Sequence, residues 1–449
     1  MSTTKAWRPP SFPGWPTLLG LVGVVSALAG VWLLWPTLSP SASQAAEPSL
    51  LPPAYAAPKT TADNSFNKAP GPAVRVRLLT GVRYVELRAS ASPLVFSALD
   101  DTPRRLELPA DQAFQLVLAG DGWNLGGITI GRGELVIDPD GDGSVTINGT
   151  PYRGRYRLVP RANDTFDLVN DLAIDDYLKS VCPVELFDHW HPTAYAAQAV
   201  TARTYALYEV GRLAASTSYR HFDLHPDQRS QMYGGMPAET AKSVNAVNLT
   251  AGKVLTYGTG KNKQIFKAYY SSCAGGVTLS AYDAFGEAPL PPLEAQYLGS
   301  LGNASPRYQW GPVEIDKAEL TRRLRAWGAR VGNPVQRMAP LASLQIADKN
   351  RYGRPTRFEV TDTRGNRFSL GPEEMRVGTN HDRRGGEAIY SSFFRPVNTE
   401  QTVRFVEGRG WGHGVGLCQW ATQERAEKGM TWKQIVQQTF PGSEITRAY

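Results

Sequence analysis

The chain has 449 residues, long enough for two or three ordinary domains or one large domain with appendages. Apolar residues make up 42% and charged residues 20%, which excludes wholesale disorder. Lys and Arg number 48 against 41 Asp and Glu, a net charge of +7 that suits an anionic polymer; no long basic run points to nucleic acid, and three cysteines are too few for a disulfide scaffold or a CxxC zinc ribbon.

Between Arg8 and Glu47 no residue is charged, and Thr17–Trp35 is almost purely apolar. At about 1.5 Å per residue this run matches the bilayer core. Lys5 and Arg8 precede it, so the positive-inside rule leaves 1–16 as a short cytoplasmic N-terminus and 17–35 as a transmembrane signal-anchor. A cleaved signal peptide is the competing reading, since Ala54-Tyr55-Ala56 follows; the run is longer than an ordinary signal core. Both of these readings export the rest of the chain to the cell envelope, whereas a third, a buried soluble helix, does not. Residues 36–73 hold eight prolines among Ser and Ala and read as a tether.

From Val74 the pattern changes to short β-branched runs separated by Gly, Pro and Asp turns, a β-rich part spanning 74–169. Asp138–Gly143 imitates the opening of an EF-hand loop, but the twelfth position is Gly149, so a turn is the better reading. Residues 170–449 then mix both periods. A short helix opens at Asp175, Pro192 starts an Ala-rich helix over Thr193–Gly211, and further helices are predicted at Ala238–Leu249 and Lys317–Trp327. Three strand-like runs follow the last of these. The fold class is α+β: a β-rich front, an Ala-rich central helix and a Gly-rich C-terminal strand, behind an N-terminal membrane helix.

Four clusters carry polar chemistry. Glu185 is a lone acid among Val181, Val184 and Leu186, where desolvation raises a carboxyl pKa and suits a general acid; an exposed surface glutamate is the bland alternative. Gln228–Gly235 is a polar turn ending in two glycines. Tyr269–Thr278 packs hydroxyls beside Gly275-Gly276, without the partners that a Ser or Cys nucleophile needs. In Gly408–Gly416 glycine fills every second position, which in an extended strand clears one face and leaves Arg409, Trp411 and His413 on the other. On the Ala-rich helix Gln198 shares a stripe with Tyr205, whereas Arg203 points elsewhere.

These motifs, in this order, resemble the SpoIID/LytB family of bacterial cell-wall proteins. The resemblance rests on Asp175-Asp176-Tyr177-Leu178 with Val181, Pro183 and Glu185; on Ala197-Gln198-Ala199-Val200 with Ala202-Arg203-Thr204-Tyr205; on Gln231, Tyr233 and Gly235; on Ser271-Ser272 with Gly275-Gly276 and Thr278; and on Gly408–Gly416 with Gln419. It spans most of 74–449. It implies a protein acting on peptidoglycan glycan strands, either as a lytic transglycosylase with Glu185 as acid/base or as a non-catalytic enhancer that binds a cell-wall amidase. A wall-binding module on a membrane tether is a further alternative.

A lytic transglycosylase needs one carboxyl group, because the muramoyl C6 hydroxyl replaces the attacking water that hydrolases position with a second acid. The implied substrate-binding residues are Gln198, Arg203, Gln231, Tyr233, Ser272, Arg409, His413 and Gln419, with Arg409 suited to a carboxylate and Arg203 equally readable as structural. No cofactor is implied. Some sporulation members hold zinc with a His–Cys pair before the motif's Gln, but Arg229-Ser230 stand there, so no metal site is carried over. Cys182, Cys273 and Cys418 fall in three different motifs.

Overall fold

The computed structural model describes residues 71–449 apart from 90–93, 99–103, 107–111, 121, 132, 140–143, 215–219 and 387. The apolar Thr17–Trp35 run lies outside the described residues, as does most of the tether and of the EF-hand-like turn. No helix among the described residues is long and apolar enough to cross a membrane.

The front is a two-sheet sandwich. Its strands are β1 (Ala73–Val82), β2 (Tyr84–Ala89), β3 (Leu94–Ala98), β4 (Arg104–Leu106), β5 (Ala113–Ala119), β6 (Gly122–Leu125), β7 (Ile128–Gly131), β8 (Leu135–Pro139), β9 (Val145–Ile147), β10 (Thr150–Tyr152), β11 (Arg155–Arg161) and β12 (Thr165–Ala173). One sheet runs β1-β12-β11-β8-β3-β4 and the other β10-β9-β2-β5-β6-β7. Alternate residues such as Val85 and Leu87, or Leu135 and Ile137, point into a shared core closed by Trp123 edge-on to Phe166 at 5.0 Å. The front is not a detached module. β12 is buried along nearly its whole length, and Val74, Val76 and Leu172 of the β1–β12 pair belong to the next core.

That core is helical. α1 (Ile174–Glu185) starts on the residue after β12 and is followed by α2 (Pro192–Ala214) and α3 (Ala241–Leu249). α2 is buried on almost every side by these helices, by β13 (Lys253–Tyr257) and by the C-terminal helices α7 (Gln419–Glu427) and α8 (Trp432–Thr439). Its alanines allow that close approach.

A second core, around Trp310, Leu324, Phe358, Phe394 and Phe405, is built between them. It holds α5 (Lys317–Val331), the antiparallel trio β18 (Leu341–Lys349), β19 (Pro355–Asp362) and β20 (Arg367–Leu370), and α6 (Pro372–Asn380). The chain leaves the helical core at β15 (Tyr270–Ser271) and returns at β24 (Leu417–Cys418), and these two pair in parallel with Tyr270 opposite Leu417. The second core is thus an insertion whose two stems lie side by side. This arrangement brings Tyr270 and Gln419 together.

The expected Gly-rich strand is not a strand. Only Gly408-Arg409 forms a strand and Trp411 and Val415 make single bridges to Cys273 and Leu279, whereas Gly410, Gly412, Gly414 and Gly416 take φ of +84°, +98°, +75° and +69°. Alternation of left-handed glycines with ordinary residues makes a tight zigzag that side chains at those four positions would forbid. A Cβ on Gly416 would sit 2.2 Å from the Tyr269 carbonyl oxygen, and one on Gly410 would sit 2.6 Å from that of Cys273.

Candidate active site around Glu185

Glu185 is the last residue of α1, at the helix end where the backbone dipole disfavours a carboxylate. It is partly exposed. Three neutral donors surround its carboxyl: the Met232 backbone N–H at 3.0 Å and the Tyr270 phenol at 3.1 Å on Oε1, and the Gln419 amide, more loosely, at 3.5 Å from Oε2. Burial raises its pKa above the ordinary carboxyl value, and the three hydrogen bonds offset part of that rise. No second carboxylate among the described residues contributes to it. The partly exposed rings of Phe187 and Trp420, which follow Glu185 and Gln419 in the chain, face one another at 5.7 Å.

The segment carrying Tyr270 is held from behind by the glycine zigzag. The Trp411 N–H donates to the Cys273 carbonyl at 2.7 Å and the Trp411 carbonyl accepts the Cys273 N–H at 3.0 Å, while the Gly414 N–H donates to Ser271 Oγ at 3.2 Å. His413 accepts the Val415 N–H on Nδ1 at 3.0 Å and presents its other edge to the Tyr270 carbonyl. Burial pushes the His413 pKa down to about 4, so the imidazole is neutral near pH 7. His413 therefore lies against the backbone of Tyr270 as a neutral ring.

Arg354 is the residue that sequence reasoning missed. It comes from the insertion, is fully buried, and donates to the carbonyls of Ala274 (3.0 Å), Val277 (2.6 Å) and His413 (3.2 Å). Burial lowers its pKa to about 10, leaving it charged at neutral pH. Through Nη1 and Nη2 this buried guanidinium locks the 273–278 loop to the zigzag, while its Nε has no partner among the described residues, and nothing in the surrounding Asn350–Pro355 turn sequence signals that role.

The remaining candidates divide. Arg203 and Tyr233, expected at the ligand, lie in the core. Arg203 is fully buried, pairs with Asp175 at 2.8 Å and also donates to the Val247 and Lys253 carbonyls, while the C-terminal Tyr449 phenol reaches the same Asp175. The Tyr233 phenol donates to Asn170 at 2.9 Å and its ring packs on Tyr152 and Tyr177. Gln231 is fully buried, accepts from the Tyr177 phenol at 3.3 Å and donates to the Ala202 carbonyl at 3.3 Å. Gln198 is fully buried, and neither of its amide atoms has a partner among the described residues. Ser272 lies beside the site but meets Trp420 through its backbone carbonyl, at 3.1 Å. Arg409 is exposed. Arg229 pairs with Asp227, and Ser230 Oγ accepts the His225 N–H at 3.1 Å.

The side chains of Cys273 and Cys418 meet where the two stems pair, and both thiols are free and buried. The Ala274 N–H points at Cys418 Sγ at 3.3 Å. The neighbouring Cys273 thiol holds the Cys418 pKa below the ordinary thiol value. Cys182 lies apart in α1, and burial raises it to about 12.

Residues 162–257 match the family model described as Stage II sporulation protein. The chain carries a SpoIID domain. Glu185, Gln198, Arg203, Gln231 and Tyr233 fall inside it, whereas Tyr270 and Gln419 reach Glu185 from beyond it. A second family model, described as a domain of unknown function, matches residues 296–416 and coincides with the inserted core. The SpoIID chain is similar to an uncharacterized protein of Brachyspira hyodysenteriae, at 28% identity over 67% of this chain and 73% of that one. It is similar to the Stage II sporulation protein D of Bacillus subtilis at 24% identity over 69% and 83%. It also matches the amidase enhancer of Bacillus subtilis at 24% identity over 60% of this chain, but spans only 40% of that relative's length.

Proposed function

We propose that this SpoIID protein is a lytic transglycosylase of peptidoglycan, acting outside the cytoplasmic membrane with Glu185 as its acid/base. The observation that carries the reading is a single carboxyl of raised pKa ringed only by neutral donors. Protonated, it donates to the glycosidic oxygen between N-acetylmuramic acid and N-acetylglucosamine. As the bond breaks, the carboxylate left behind takes the proton of the muramoyl C6 hydroxyl, which closes a 1,6-anhydro ring on C1. Glu185 ends as it began. No water is consumed, so one acid suffices. Phe187 and Trp420 offer apolar ring faces beside the reacting bond, and Gln419 and Tyr270 hold the carboxylate. The Thr17–Trp35 run supplies the membrane tether in this reading.

A second reading is a non-catalytic enhancer that docks on a wall amidase. The amidase-enhancer relative favours it, as does Val184, an apolar side chain 37% exposed directly beside Glu185. Mass spectrometry of sacculi treated with the purified protein separates the two. Anhydro-muropeptides support the transglycosylase; an inert protein that accelerates release of stem peptides by an added amidase supports the enhancer.

A further inference from the structure

Arginines on this molecule usually meet carboxylates, even where solvent reaches them: Arg395 pairs with Glu407 and Arg357 with Asp348. Arg307 and Arg409 do not. Neither guanidinium makes an ion pair or a side-chain hydrogen bond among the described residues, although Glu407, already paired with Arg395, lies near enough to Arg409 to feel its charge. Both are instead laid on aromatic rings, Arg307 at 4.0 Å from the centre of Tyr390 and Arg409 at 5.5 Å from that of Phe393. They flank one point of the backbone, because the Gly410 N–H donates to the Arg307 carbonyl at 2.9 Å. Next in the chain stands Trp411, 39% exposed, its ring edge-on to Tyr390 at 6.1 Å. All five residues belong to the inserted 296–416 unit.

We propose that this arginine–aromatic face is a binding site for a carboxylate-bearing glycan, and that presenting it is a function of the inserted unit. Two guanidiniums fixed on ring faces lose little freedom on binding, and their donor edges match carboxylate oxygens. An exposed indole beside them offers the flat apolar surface that a pyranose ring covers. Two cations are too few to hold a phosphate polymer through counterion release. The face is also placed to act with Glu185. Trp411 pairs through its backbone with Cys273, which lies three residues, or about 10 Å of extended chain, beyond Tyr270. One glycan strand therefore spans both. The inference leans on the proposed function only for the choice of polymer, the muramoyl carboxylates of peptide-free peptidoglycan strands.

The test is sedimentation of the full-length Glu185→Gln protein with such strands, and with the same strands after their carboxyls are reduced to alcohols. Binding to the native strands is expected to be at least about tenfold tighter than to the reduced ones. Arg307→Gln/Arg409→Gln, checked by thermal unfolding, is expected to bind both at the lower level; if the pair does not fold, exposed Arg409→Gln alone is expected to lose about half of the preference on a logarithmic scale. Equal binding to native and reduced strands, undiminished preference in a folded arginine variant, or equal competition by double-stranded DNA or polyglutamate overturns the site. Residual cleavage by Glu185→Gln overturns the catalytic reading and leaves the binding comparison standing.

Discussion

Tyr270 donates its phenolic proton to Glu185 Oε1 across 3.1 Å, while its own carbonyl rests against the neutral ring of His413. The acid of the SpoIID domain is thus adjusted by a residue outside that domain, and the adjusting residue is held by the glycine zigzag.

Glu185→Gln keeps the shape and removes the transferable proton. Release of anhydro-muropeptides is expected to fall roughly 10²–10⁴-fold. Wild-type rates of sacculus digestion would give the enhancer reading the field.

Tyr270→Phe deletes a hydrogen bond that stabilises the ionised form of Glu185. The Glu185 pKa then rises further. Because the protonated acid starts the reaction, the alkaline limb of the pH–rate profile is expected to move to higher pH in the variant, and a shift to lower pH would contradict the assigned donor.

The raised pKa also has a consequence for stability. The folded state holds the Glu185 proton more tightly than the unfolded state, so its contribution is fully present below the ordinary carboxyl value of 4.5 and is lost as pH rises through the folded value. Glu185→Gln cannot lose it. The melting temperature of the variant relative to wild type is expected to be flat in acid and to climb as pH rises above about 4.5 until the folded pKa is passed.

Arg354→Met leaves the Ala274, Val277 and His413 carbonyls without a donor. A loss of at least about 3 kcal/mol is expected in denaturant unfolding. Gly414→Ala attacks the same joint from the other side, since its Cβ would lie 2.3 Å from Arg354 Nη1 at a φ of +75°. It is expected to cost more than about 2 kcal/mol.

The Cys273 thiol is the largest influence lowering Cys418. Thiolate ultraviolet absorbance of the wild type is expected to show a transition below the ordinary thiol value, and Cys273→Ala to move it upward. An unmoved transition would mean that the two sulfurs do not interact.

Local patterns were sufficient to read the strands of the front, the Ala-rich α2 and the helix beginning at Lys317, because each depends on a period of two or near 3.6 within one short window. The isolation of Glu185 among apolar neighbours was legible for the same reason. Which of the other motif residues face it was not. Arg203, Tyr233 and Gln231 sit in motifs as prominent as that of Gln419, yet they bind the core together, and their partners Asp175, Asn170 and Tyr177 lie 28 to 63 positions away. Alternating glycines read equally well as a cleared strand face or as a left-handed zigzag. The choice is made by what packs against them, here the Tyr269 and Cys273 carbonyls and the Arg354 guanidinium. The neighbours of Glu185 are likewise decided by topology: Tyr270 and Gln419 are 149 positions apart in the chain and become neighbours because the parallel β15–β24 pair closes the base of the inserted unit.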